Sequence, residues 1–129
     1  MHRRHRLTAN ERFQQVRRQG QSREERLVVL IYLPNDLPYS RFGFAASRRV
    51  GKAVRRNRAR RLLRESVRLQ FETLAAGWDM IFIARTGTAT ATFQQVDSDC
   101  RKALRRAGLL RLPDPPLLPE PPLPVEPTS

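Results

Sequence analysis

The sequence holds one cysteine, so no internal disulfide can form and the chain folds without a covalent staple. That residue, Cys100, falls on an apolar helical stripe and reads as a packed core thiol. No run approaches the roughly 18 apolar residues of a membrane-spanning helix, and the opening MHRRHRLTANE lacks the apolar core of a signal peptide. These absences point to a cytoplasmic protein with no membrane partner. No P-loop, nucleophile elbow or paired cysteine set is present. His2 and His5 read as solvated members of a mobile arm rather than as metal ligands. Asp97 and Asp99, two apart on a helix, do not face one way, which argues against a carboxylate metal pair. The polypeptide is therefore expected to have no catalytic residues and no metal site of its own.

Acidic residues are also scarce. Against 25 Lys and Arg stand 12 Asp and Glu, for a formal charge of +13. Residues 1–112 hold every basic group, while Asp114, Glu120 and Glu126 lie in the tail, so the folded part is more basic than the chain as a whole. Such a balance points first to nucleic acid and second to an anionic membrane surface. At 129 residues with 40% apolar composition the chain supports one domain with a modest core. The expected divisions are a basic arm over 1–6, a basic, nucleic-acid-binding domain over 7–112 and a tail over 113–129. Most of the chain's 10 prolines fall in that tail, a composition that reads as extended, solvated linker.

What the sequence does have is concentrated between Ser47 and Arg68, SRRVGKAVRRNRARRLLRESVR, where Glu65 is the sole acid among ten basic residues. Like charges spaced i,i+4 on a helix repel, and Arg56, Arg60 and Arg64 accept that cost. A polyanion would offset it. At 100° per residue Arg56, Asn57, Arg60, Arg61, Arg64 and Arg68 fall in one arc, with Ala59, Leu62, Leu63, Val67, Gln70 and Leu74 mostly on the adjoining one. Guanidinium is planar, permanently charged and able to grip two phosphate oxygens at once, so an arginine row suits a phosphate-tracking surface.

Around this stretch the chain reads as an α+β domain. Thr8 to Glu11 has capping-box spacing and predicts a helix that Gly20 ends, with Phe13 and Val16 on its apolar stripe. Leu27–Leu33 predicts a strand apolar on much of both faces. Arg41–Ser47 predicts another, with Phe42, Phe44 and Ala46 on one face and Arg41, Gly43, Ala45 and Ser47 on the other. The second, small and polar face suits either a close nucleotide backbone or a tight helix-on-sheet contact. A helix is predicted from Ala53 to Leu74, a strand from Trp78 to Arg85, and a last helix opened by a Thr92/Gln95 capping box and closed by Gly108.

The run from Arg49 to Glu65, RVGKAVRRNRARRLLRE, resembles the RNR motif of the protein subunit of bacterial ribonuclease P. The other elements come in that family's order over residues 7 to about 110. The resemblance implies an αβββαβα domain with a central mixed sheet and a left-handed crossover. It also implies a partner, a catalytic RNA subunit that uses magnesium, held mainly by the RNA, to remove the 5′ leader from precursor tRNA. No obligate protein partner is implied. RNA-binding residues would be Arg48, Arg49, Lys52, Arg56, Asn57, Arg58, Arg60, Arg61, Arg64 and Arg68. A leader cleft between the first helix and the sheet would be lined by Phe13, Arg17, Tyr32, Arg41, Ala45 and Ser47. Arg17 stands where many relatives have a second aromatic, and positions 48, 49 and 60 are arginine where lysine is common. Two other readings compete: a leucine-zipper-like DNA-binding helix, whose heptads would have to continue past Ala76, Gly77 and Trp78, and a ribosomal or RNA-chaperone protein without a processing role.

Overall fold

The computed structural model describes residues 3–110. The elements run α1 (Asn10–Gln19), β1 (Gln21–Glu24), β2 (Val28–Pro34), β3 (Arg41–Ala46), α2 (Ala53–Leu69), β4 (Trp78–Ala84) and α3 (Phe93–Ala107), the expected αβββαβα order. The four strands form one mixed sheet in the order β1-β2-β4-β3. β1, β2 and β4 pair antiparallel, while β3 lies parallel to β4 and reaches it through α2. The proline-rich tail lies outside the described residues.

The pleat divides the strands into two faces. Val28, Leu30, Tyr32, Phe42, Phe44, Met80 and Phe82 share one, where α2 and α3 supply Ala59, Leu63, Val67, Val96, Cys100 and Leu104 to the main core. Ile31, Leu33, Ile81 and Ile83 share the other, where α1 packs Val16 and Phe13, joined by Leu7. β4 is therefore covered on both sides, which explains why WDMIFIA is apolar almost throughout. Truncating a fully buried residue such as Leu63 to alanine would cost about 2–5 kcal/mol. Cys100 is a core thiol as expected, and burial pushes its pKa up to about 12.

Several local expectations are corrected. The Thr8/Glu11 capping box does not form: α1 begins at Asn10 behind Ala9, which makes no side-chain cap. β1 was not read from the residues, because QSRE has no apolar alternation and becomes a strand only by pairing at the sheet edge. α2 stops at Leu69 rather than Leu74. There the Gln70 N–H is shared between the Ser66 and Val67 carbonyls, and a short 3-10 turn, Phe71–Thr73, follows. His5 is not solvated. It is 8% exposed, lies edge-on to the rings of Tyr39 and Phe71, and places Nδ1 2.8 Å from the Ser40 carbonyl oxygen. Beside it Arg6 bridges to Phe42, so residues 5 and 6 lie along the outer edge of β3.

Candidate nucleic-acid interface

The basic stretch begins with a tight entry. Ser47 accepts the Arg49 N–H and caps a 3-10 turn, Arg48–Val50, whose Val50 is buried. Gly51 follows at φ 138°, a backbone conformation that favours glycine, and a Cβ there would also displace the flexible Arg55 side chain, whose Cδ would lie 2.5 Å away. α2 then buries Ala59, Leu63, Ser66 and Val67. Opposite them Asn57, Arg61, Arg64 and Arg68 are exposed, with Arg56 and Arg60 half-buried. The helix thus separates a packing side from an arginine side, as the wheel predicts.

Individual guanidiniums are held in different ways. Arg56 Nη1 donates to the Gly51 carbonyl at 3.0 Å, and Arg58 Nε donates to the Ala89 carbonyl at 2.8 Å. Arg60 Nη2 donates to Asn57 Oδ1 at 2.5 Å, so the uncharged member of the row orients its neighbour. Arg64 lies over the Phe44 ring, 5.5 Å from its centroid. Arg68 forks onto Glu65, the row's sole acid, and that pair holds the Glu65 carboxyl below its usual range. Arg48, Arg49, Lys52 and Arg61 are exposed at the entry and along the row.

On the opposite face of the sheet, Phe13 of α1 stands over Gly43. A Cβ on Gly43 would lie 2.8 Å from Phe13 Cε2, so this glycine accommodates the helix-on-sheet contact. By strand alternation Arg41 and Ala45 share this face, and Arg17 lies one helical turn beyond Phe13, exposed. Ser47 lies past the end of β3 at the α2 entry. Tyr32 does not line this face. It is 3% exposed in the core beneath α2 and α3, edge-on to Trp78, and its hydroxyl donates to Gln21 Oε1. The run LVVLIYL is apolar on both faces, so only the register, which pairs Tyr32 with Met80, assigns its direction.

Arg41 is not a free cation. Its Nε donates to Asp79 Oδ1 at 2.9 Å and its Nη2 to Asp79 Oδ2 at 2.7 Å. Arg12 of α1 donates Nε to Asp79 Oδ2 at 2.7 Å, and Asn35 donates Nδ2 to Oδ1 at 2.9 Å. Burial alone would raise the Asp79 pKa, but the bonds from Arg41, Asn35 and Arg12 outweigh it and hold the carboxyl below its usual range. The same pairing raises Arg41. Two cations and one buried anion leave a net positive corner where α1 meets the sheet. The sequence reading missed Asp79, although a lone acid inside an apolar strand is itself a signal, because a buried charge needs partners.

The carboxylates of the domain are largely committed. Besides Asp79, Asp97 binds Ser66 and Arg101, Asp99 accepts the Leu27 N–H, and Glu24 and Glu25 pair with Arg85 and Arg106. Among the described residues no cluster of three or more His, Cys, Asp or Glu side chains could hold a metal ion. These donors do not fit a magnesium site.

A small mixed-sheet α+β domain that presents a helix of arginines, with most of its acids paired internally, defines a basic protein built to bind nucleic-acid phosphate. The family model described as Ribonuclease P matches residues 1–108. The ribonuclease P protein component of Roseiflexus sp. strain RS-1 is 42% identical over 115 residues, covering 88% of this chain and 94% of that protein. The corresponding protein of Pelotomaculum thermopropionicum is 44% identical over 105 residues, covering 81% and 94%. The solved RNase P protein of Staphylococcus aureus superposes with a TM-score of 0.75 at 27% identity, covering 82% of this chain and 97% of that one. That of Thermotoga maritima gives 0.71 at 28%, covering 78% and 96%.

The chain belongs to the ribonuclease P protein family, and its role is that of the protein subunit of this tRNA-processing endoribonuclease, with the RNase P RNA as partner. The two rival readings fall with this assignment. α2 ends at Leu69, which also leaves a zipper no helix to continue on.

Proposed function

We propose that α2 and its entry turn hold the catalytic RNA, that the corner beneath α1 receives the 5′ leader of precursor tRNA, and that the polypeptide contributes no catalytic group. The observation that carries this reading is the arginine side of α2, exposed and opposed by one acid that is already paired. Phosphates of a folded RNA would be met by Arg48, Arg49, Lys52, Arg56, Arg60, Arg61 and Arg64, with Arg60 pre-oriented by Asn57. Binding would release counterions from the RNA, the main source of affinity for such a surface.

At the leader site the floor is small, Gly43 and Ala45, and Phe13 supplies a partly exposed ring for an unstacked base. Asp79 fixes the Arg41 fork and leaves its Nη1 for phosphate, while Arg17 adds a second cation at the rim. Tyr32, buried on the other face, has no part in this site. Magnesium is held mainly by the RNA in this scheme, in keeping with carboxylates already committed to arginines and main-chain N–H groups. The complex works in the cytoplasm and needs no further protein.

The test is reconstitution. Purified polypeptide free of RNA should not cleave precursor tRNA with any magnesium concentration, and accurate 5′ processing should appear when the RNA subunit is added. Processing by the polypeptide alone would overturn the reading.

A further inference from the structure

The outer edge of β3 carries a concavity that adjoins the leader corner at Gly43 and takes Arg64 and Arg68 from the end of the arginine row. It encloses about 560 Å³ between the segment before α1, β3 and the C-terminal half of α2. Arg6 and Thr8 come from the first, Phe44 from the second, Arg64 and Arg68 from the third. Three of these five side chains are guanidiniums, and no carboxylate lines it.

Among the guanidiniums Arg68 is shared with Glu65, whereas the edge strand beside it offers main-chain groups outward. β3 is the edge strand, and the Phe42 carbonyl faces outward, where it accepts the Leu7 N–H at 2.8 Å. A strand alternates its main-chain groups between its two sides, so the Phe44 N–H and C=O face outward too, beyond the point where the Arg6 bridge ends. Thr8, the expected helix cap, makes no cap and lines this cavity instead. Phe44 lies nearly parallel to Phe82, with centroids 5.7 Å apart and planes at 21°, and the Arg64 guanidinium carbon stands over the Phe44 ring. Ring, ring and guanidinium are thus neighbours, and both Phe44 and Arg64 line the cavity.

We propose that this concavity is a single-nucleotide subsite that takes one unstacked nucleotide of RNA, its base against the Arg64 plane and its edge read by the Phe44 main chain. Arg6 and Arg68 would take its phosphate, and the Thr8 hydroxyl its ribose. Guanidinium planes stack on bases as aromatic rings do, and an N–H beside a C=O matches the donor and acceptor pair of a base edge. An added peptide strand would use the same edge. It is disfavoured here because only Phe44 to Ala46 are left to pair, and because a rim of three arginines selects an anion. The subsite rests on the RNA-binding reading above and meets the leader corner only at Gly43, its Arg6, Thr8, Phe44 and Arg68 lying outside that corner.

The test is amide and arginine side-chain NMR on the full chain, titrated with adenosine 5′-monophosphate, ribose 5-phosphate and inorganic phosphate. The nucleotide should shift the Phe44 amide and Arg64 Nε signals saturably and bind about fivefold tighter than ribose 5-phosphate, the worth of one stacked base. Phe44→Leu, which keeps an apolar contact with Phe82, should erase most of that difference; if it does not fold, the comparison of ligands on the unaltered chain carries the test. Equal shifts from all three ligands would leave only a general anion surface and overturn the proposal. So would an acidic extended hexapeptide that shifts the Phe44 and Ala46 amides when the nucleotide does not. Binding of the RNA subunit with no nucleotide effect at Phe44 sinks the subsite alone, whereas loss of RNA binding altogether sinks the function it rests on.

Discussion

Asp79→Asn offers a sharp probe of how this domain holds its first helix. The side chain is fully buried and accepts four hydrogen bonds, three of them from Arg12 and Arg41, whose own side chains are 21% and 25% exposed. Asparagine keeps the volume but removes the charge and turns an NH2 group toward donors. Breaking a buried pair from one side costs about 3–5 kcal/mol, and the partial exposure of both guanidiniums places this case near 3. For a domain of this size that is a fall of roughly 10–20 °C in Tm.

The pH dependence has a definite sign. A carboxyl held below its usual pKa stabilises the fold above the unfolded value, near 3.9, and that contribution declines as pH falls toward the folded value. Urea unfolding followed by circular dichroism should therefore show the full gap between Asp79→Asn and the unaltered protein at pH 7. The gap should shrink by about 1.4 kcal/mol for each pH unit below about 3.9. Affinity for the RNA subunit, measured well below the melting temperature, should not fall, because α2 lies on the other face of the sheet. A loss under 1 kcal/mol at pH 7, or a gap indifferent to acid, would refute the assignment of Asp79 as the anchor of α1.

Two further substitutions test the two faces. Gly43→Ala places a Cβ against the Phe13 ring and should cost about 1–3 kcal/mol by overpacking, with displaced Phe13 ring resonances in NMR. Asn57→Ala removes no charge and should leave Tm unchanged or raise stability by a few tenths of a kcal/mol, since alanine is the better helix former. Its affinity for the RNA subunit should nevertheless fall about fivefold, the worth of one hydrogen bond of about 1 kcal/mol, as measured by filter binding.

How far the sequence could be read depended on whether a signal was local. β2 and β4 are apolar runs and α3 has its Thr92/Gln95 box, all of which form as expected. The arginine side of α2 was equally legible, because helical period and charge coincide there. Features set by distant partners were not. β1 is a strand only because Gln21 to Glu24 lie beside Val29 to Tyr32. Tyr32 could not be assigned a face from an unbroken apolar run, and Asp79 gains its meaning from residues 38 and 67 positions away. His5 and Thr8 were misread for the same reason: the edge of β3, not local propensity, places them.

The central claim, that α2 grips the RNA subunit by its phosphates, is tested most directly by titrating that affinity against potassium. The logarithm of the association constant should fall linearly with the logarithm of salt concentration, by about 0.7–0.9 for each phosphate contact, over several contacts. Arg60→Ala should flatten the slope by about one contact. A slope near zero, or one that Arg60→Ala and Arg61→Ala leave unchanged, would contradict the account.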